Sequence, residues 1–345
     1  MGRKRGTGSI VHDVKMCLKE IDRIGQSKRD AREAGTVGIH SLKQKAHTMS
    51  ACQNFVKWTR DVHGVRKVHE LTQEHYKAYI GHLEQQERSA GHRQNVETAL
   101  KHLQRGLNAR SERFGKEQVV FVSERRLTAP AASEGVSNRS YSNEEVRKLL
   151  KHVPATTADA VKLMRGLGFR VREAANVRTE HFVQKEAGGW RVQIDQGAGI
   201  TKGGRFRHFD VPKPFEQELE RMLQGKRPEE RLVPVQVDTI RQAVSKGLKT
   251  AGIEQNRRGC HGFRHAYARE RIDILFRQRG LSDTGHTMMQ RVLENRQEGK
   301  PADYGILTAA DKRLYAEVRG VMDRVHAEIG HGANRWDLAM RYMKA

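Results

Sequence analysis

Apolar residues recur at helical spacing through the first third of the chain. Ile10, Val14, Cys17, Leu18 and Ile21 predict a helix from about Ile10 to Ile24. Leu42, Ala46, Met49 and Val56 predict another between Ser41 and Arg60, on a face interrupted by Lys45 and Gln53. Tyr76, Tyr79, Ile80 and Leu83 continue the pattern after Leu71-Thr72, and Val96, Leu100, Leu103 and Leu107 form a clean stripe. Residues 37–118 therefore read as a compact helical bundle. Residues 1–36, rich in basic residues and glycine around their one helix, read as a basic N-terminal arm. Over residues 119–139 the periodicity dissolves into Ser, Ala, Pro and Gly, which reads as an interdomain linker.

A second domain is expected over residues 140–345. Ser142-Asn-Glu-Glu145 has capping-box spacing, and Val146, Leu149, Leu150 and Val153 continue it as a buried stripe. Trp190 to Asp195 and Phe206 to Val211 alternate apolar and polar residues, with Gly197, Gly199, Gly203 and Gly204 between them. That pattern predicts a β-hairpin with a long glycine-rich tip. Helical periodicity returns at Phe215, Leu219, Met222 and Leu223, then at Ile240, Val244 and Leu248, and again from Phe263 to Phe276. The expected class is mainly α with one small β-sheet.

With 345 residues, two domains that each bury a core are the default expectation. Charge narrows the partners: 64 Lys and Arg against 41 Asp and Glu give a formal +23, spread over both domains. A polyanion is implied, and double-stranded DNA fits better than single strands because aromatic stacking residues are only 6% of the chain. There is no apolar run of the roughly 20 residues that a membrane span needs. Neither a secretory h-region nor paired cysteine spacing occurs around Cys17, Cys52 and Cys260, so a reducing cytoplasm is the expected compartment. The 17 histidines show no zinc-ligand spacing, and Glu173, Asp195 and Asp210 form no constellation for paired Mg²⁺ ions.

Four groups in the second domain carry potential phosphate ligands. Gly166-Leu-Gly-Phe-Arg170 leads into a helix with Glu173 in its first turn. Thr201-Lys202-Gly-Gly-Arg205 lies at the hairpin tip, where a lysine on a flexible stem can reach a phosphate or donate a proton. His261-Gly-Phe-Arg264-His265 puts imidazole and guanidinium on one helical face. Gly330-His331 precedes Tyr342 near the C-terminus. Read singly, each group serves equally well as a helix cap, a solvated turn or an ion pair.

In this order the groups resemble the tyrosine recombinase (phage integrase) family. The resemblance spans about Tyr141 to Tyr342, with His261 to His265 its most specific part, and residues 37–118 resemble the family's helical core-binding domain of SAM-like bundle type. The family's catalytic domain has the DNA breaking-rejoining fold. By position, the resemblance makes Tyr342 the nucleophile, Arg170, Lys202, His261, Arg264 and His331 its catalytic partners, and Glu173 a supporting acid. Tyr267, Tyr304 and Tyr315 compete by chemistry alone. Two features depart from the family's pattern. Arg264 and His331 are 67 positions apart, implying a helical insertion at about 276–328, and His331 and Tyr342 are 11 apart, about two more than the family's usual spacing. Only Met343-Lys-Ala345 follows Tyr342, so the helix that many relatives dock on a neighbouring subunit is not expected.

The resemblance implies metal-independent cleavage and rejoining of duplex DNA through a 3′-phosphotyrosyl intermediate, with no cofactor, in the integration or excision of a mobile element. It further implies a tetramer on two DNA sites, room for accessory DNA-bending proteins, no membrane, and a place in the cytoplasm at the bacterial nucleoid. The competing readings are a catalytically inactive DNA-binding protein on the same scaffold and a type IB topoisomerase-like enzyme.

Overall fold

The computed structural model describes residues 9–26, 28–36, 38–129, 138–202, 204–256 and 258–343. The chain divides into two compact units, residues 1–134 and 135–345.

Among its described residues the first unit holds helices α1 (Ile10–Glu20), α2 (Lys28–Glu33), α3 (Leu42–His63), α4 (Gln73–Gln85) and α5 (Ala90–Arg113). The hydroxyls of Ser9, Ser41 and Ser89 accept backbone N–H bonds at the starts of α1, α3 and α5, where the first turn has no internal acceptors. The stripe Ile10, Val14, Cys17 and Leu18 packs α1 into the bundle core against α3 and α5. Residues 10–20 are thus an integral helix and not part of a detached arm, because that apolar face requires cover. Residues 1–8 of the expected arm lie outside the described residues. The beginning of the expected linker is also core: Phe121 and Val122 are buried, and their N–H groups donate to the Gln104 side chain at 2.7 and 2.6 Å. Buried Glu97 holds the segment that follows by accepting from Leu127 N, Thr128 N and the Tyr76 hydroxyl. Linker residues 130–137 lie outside the described residues.

The second unit begins with α6 (Asn143–Leu150), whose Ser142/Glu145 capping box forms as expected. It continues through α7 (Ala155–Gly166) and α8 (Val171–Asn176) into strands β1 (Phe182–Gln184), β2 (Trp190–Ile194) and β3 (Arg207–Asp210). The strands form one antiparallel sheet in the order β1-β2-β3, so β1 adds a strand to the expected hairpin. Register aligns Phe182, Val192 and Phe209 across one buried face. By the same parity Arg207, paired with Ile194, points inward, whereas Phe206 is 72% exposed. Phe206 therefore belongs to the outer face, contrary to the alternation expected from sequence.

Helices α9 (Glu216–Leu223), α10 (Val237–Thr250) and α11 (His261–Gln278) complete the core around the sheet. Helix α11 is central: Gly262 through Ala268 are all buried. The expected insertion contains the end of α11, then α12 (Ser282–Gln297) and α13 (Ala309–Glu328), before α14 (Trp336–Met343). It is no peripheral excursion. Met288, Val292, Val318, Val321, Met322 and Val325 form a second core with Ile272 and Phe276 of α11 and Ala339 of α14. No helix among the described residues is long and apolar enough to cross a membrane.

Candidate active site

The turn before α8 depends on Gly168. Its φ is +62°, and a Cβ there would lie 2.4 Å from Cδ1 of Tyr267 and 2.8 Å from Cγ2 of Ile329. This close approach lets the Gly168 carbonyl accept from Nη1 of Arg264 at 2.7 Å. Arg170 is the N-cap of α8, and its N–H donates to Oε2 of Glu173 at 2.8 Å while its Nη1 donates to Oε1 at 2.7 Å. The capping geometry thus aims both side chains at one place.

Glu173 is buried, and three guanidinium groups surround it. Besides Arg170, Nη1 of Arg207 donates to Oε2 at 2.7 Å and Nη1 of Arg264 lies 3.6 Å away. Burial pushes the carboxyl's pKa up, but Arg207, Arg264 and Arg170 together hold it below the usual value, so Glu173 is ionised. Arg264 is fully buried, which with the charge of Arg170 lowers its pKa to about 10. It still carries its charge at neutral pH. Its Nη2 donates to the Ile329 carbonyl and faces Nε2 of His331 at 3.3 Å. Its Nε–H is buried with no hydrogen-bond partner among the described residues.

Tyr342, on α14, is 5% exposed and lies with its hydroxyl 2.9 Å from Nε2 of His261, at the start of α11. Its ring stacks on His265 at 4.3 Å and 23°, lies 5.4 Å from the His331 ring, and has the Arg264 guanidinium 5.9 Å from its centroid. Nε of Arg269 donates to the Tyr342 carbonyl at 3.1 Å.

All three imidazoles are biased towards the neutral form. Desolvation comes first for each, followed for His261 and His331 by the charge of Arg264 and for His265 by His261; the pKa values fall to about 4 for His261, 3 for His265 and 2 for His331. Neutral His261 can accept the Tyr342 proton at Nε2. A guanidinium only donates, so Nε2 of His331 accepts from Arg264, which leaves the His331 proton on Nδ1, facing Nδ1 of His326 at 3.3 Å.

The structure therefore brings Arg170, Glu173, His261, Arg264, His331 and Tyr342 together, from four separate stretches of sequence. Lys202 is exposed on the turn between β2 and β3 and borders a cavity of about 600 Å³ that Arg170, Arg172, Arg241, Arg258 and His261 also line. Nε of Arg172 donates to the Gly199 carbonyl in the same turn at 3.2 Å. The competing tyrosines are placed elsewhere. Tyr267 is buried with its hydroxyl on Glu328 at 2.8 Å, Tyr315 stacks on Trp336, and exposed Tyr304 packs against Lys300. The carboxylates that an alternative metal site would need have other partners: Asp195 contacts Nε2 of His208, and Asp210 pairs with Arg191 and Lys185.

Sequence reasoning missed Arg207, His265, His326 and the pair Arg271–Glu328. The signal for Arg207 was available: counting back in twos from Phe209 and Val211 puts a charge on the buried face. His265 adjoins Arg264 in sequence, but its stacking on a residue 77 positions away left no trace in the pattern.

Comparisons with protein-family models and with curated protein sequences find no match. Solved structures do match. The XerH site-specific recombinase in a pre-cleavage complex with its difH substrate is 14% identical, covers 89% of this chain and 92% of that one, and has a TM-score of 0.52. A lambda integrase tetramer bound to a Holliday junction is 12% identical over 91% of this chain and 79% of that one, with a TM-score of 0.51. A lambda integrase dimer bound to a COC′ core site is 14% identical over 84% and 75%, with a TM-score of 0.50. The chain shares the fold of these tyrosine recombinases, mainly α with a small sheet, as expected from its sequence.

Proposed function

We propose that this protein is a site-specific tyrosine recombinase that cuts and rejoins duplex DNA in the integration or excision of a mobile element. One observation carries the reading: the Tyr342 hydroxyl rests on a neutral imidazole, beside a buried arginine with an unspent N–H and within reach of a basic cavity. A scissile phosphate in that cavity meets Arg170 and Lys202, and a shift of the residues that cover Arg264 and Tyr342 brings these two to it. The Tyr342 oxygen attacks phosphorus, its proton passes to Nε2 of His261, and the P–O5′ bond breaks as the leaving oxygen takes a proton from Lys202. Reversal of these steps by another strand's 5′-hydroxyl rejoins the DNA, so the bond energy is retained.

Arg170 and Arg264 neutralise the charge that grows on the non-bridging oxygens. Loss of one such donor elsewhere costs about 3–4 kcal/mol of transition-state stabilisation, and loss of either arginine here is expected to cost at least as much. His331 adds a donor once the phosphate displaces its bond to Arg264 and its proton moves from Nδ1 to Nε2. The reading places the protein in the cytoplasm at the nucleoid. It assigns residues 37–118 to core-site DNA and assembles four protomers on two sites, with accessory DNA-bending proteins accommodated. Affinity is carried by phosphate contacts and falls steeply with salt.

The test uses a pool of nicked duplexes of randomised sequence, incubated with the full chain in EDTA, from which covalently captured members are recovered and sequenced. A covalent adduct is expected, with none from Tyr342→Phe although DNA binding persists. Cleavage only with Mg²⁺ would overturn the mechanism. Binding without cleavage would favour the inactive scaffold, and relaxation of supercoils without strand exchange the topoisomerase-like enzyme.

A further inference from the structure

Arg207 occupies an inward position of β3, where the strand's period calls for an apolar residue, and its side chain is 1% exposed. Phe169 and Phe209 pack against its guanidinium at 5.2 and 5.1 Å. One arm donates to Oε2 of Glu173 at 2.7 Å; the other donates to the backbone carbonyl of Glu328, the last residue of α13. Gly330 packs so closely that a Cβ there would lie 3.0 Å from Cδ of Arg207. Arg264 faces His331 and the Tyr342 ring, whereas both arms of Arg207 are committed to Glu173 and the Glu328 carbonyl, so its effect has to pass through what it holds.

We propose that Arg207 is a positioning residue for the phosphate-binding arginines and for His331, acting through Glu173 on one side and the Gly330-His331 turn on the other. The inference rests on the recombinase reading. Glu173 distributes its two oxygens among Arg170, Arg207 and Arg264. While Arg207 occupies Oε2, Arg264 stays at 3.6 Å from that oxygen and donates instead to Gly168 and Ile329. Without Arg207 the ionised carboxylate draws Arg264 inward, away from the position a phosphate needs.

The second contact depends on a separate clamp. The Glu328 carboxylate accepts from Nε and Nη2 of Arg271 at 2.8 and 2.9 Å and from the Tyr267 hydroxyl at 2.8 Å. That clamp fixes the end of α13, and the Arg207 bond to the Glu328 carbonyl then sets the turn that presents His331. One buried guanidinium thus registers β3, α8 and the α13–α14 connection against each other. A lysine keeps the charge but lacks the planar fork needed to hold both acceptors.

The test compares wild type with Arg207→Lys, Arg207→Met and the double variant Arg207→Met/Glu173→Gln, each as the full chain. Adduct formation is followed in single turnover at saturating concentrations of a captured duplex, and rates are taken per folded molecule from thermal melts. Arg207→Lys is expected to bind that duplex as wild type does yet form adduct slower by on the order of 100-fold, the cost of a misplaced reacting group. Arg207→Met is slower still. The double variant removes the unmatched carboxylate charge but leaves buried Arg264 without its anion, so it regains neither the rate nor the full wild-type melting temperature.

The pH profile supplies a readout that a merely structural role would not move. Glu173 is faced by Arg170 on its own α8 turn, Arg207 from β3 and Arg264 from α11. Replacing Arg207 with Lys loosens its hold on that carboxylate, so the acid limb of the adduct rate shifts to higher pH. Wild-type rate and acid limb in Arg207→Lys, or a loss confined to DNA affinity, would overturn the inference while leaving the recombinase reading intact. Absence of any adduct from wild type would remove that reading and this inference with it.

Discussion

Glu173→Gln replaces a buried carboxylate with an amide of the same shape. In the structure its two oxygens take charge-assisted bonds from Arg170 and Arg207, both at 2.7 Å, and a backbone bond from Arg170 at 2.8 Å. The amide keeps one acceptor and turns a donor towards guanidinium groups that can only donate. Two fully buried arginines, Arg207 and Arg264, would then share no anion. Breaking a buried ion pair from one side costs about 3–5 kcal/mol. For a unit of this size each kcal/mol moves the melting temperature by roughly 2–4 °C, so a fall of about 10 °C is expected. A surface acid would change stability by only about 0.5 kcal/mol. The assay is calorimetry of the full chain at neutral pH, following the transition of residues 135–345. The effect is complete there, because the depressed pKa of Glu173 places its stabilisation above the unfolded carboxyl value of 4.5 and loses it only as pH falls through the folded value. A melting temperature within about 2 °C of wild type would refute the claim that one carboxylate organises three arginines.

Two further outcomes follow from the same geometry. His265 has its pKa lowered by burial and by His261 to about 3, against 6.5 when unfolded, so the unfolded chain binds the extra proton between those values and stability falls as pH drops through that window. The slope from this residue is about 1.4 kcal/mol per pH unit, and His265→Phe should keep the stack on Tyr342 while flattening the acid side of a melting-temperature series; an unchanged slope would contradict it. Gly168→Ala must place a Cβ at positive φ, 2.4 Å from the Tyr267 ring. Overpacking and left-handed strain together predict a loss of about 2–4 kcal/mol in denaturant titration, and a loss under about 1 kcal/mol would show that the turn has room to give.

Much of the site was legible because its residues follow local rules. The capping box at Ser142 and Glu145 was read from spacing and forms as read; the same spacing at Arg170 and Glu173 creates the link between arginine and carboxylate. Four short stretches in the right order were enough to anticipate the grouping of Arg170, His261, Arg264, His331 and Tyr342. What escaped was decided by packing between distant segments. The stripe in residues 10–21 did not reveal that α5 would cover it, and so was read as an arm. In the interval 276–328, length suggested an excursion, whereas apolar faces on α12 and α13 close a core with α11 and α14. Arg207 escaped because Phe206 set the wrong parity for its strand.

The most direct measurement is to digest the covalent protein–DNA adduct formed in EDTA and locate the nucleotide-bearing residue by mass spectrometry. The account predicts a 3′-phosphate joined to the oxygen of Tyr342, with a free 5′-hydroxyl on the released strand. A linkage at Tyr267, Tyr304, Tyr315 or any residue other than Tyr342, or 5′-phosphate ends without a protein bond, would contradict it.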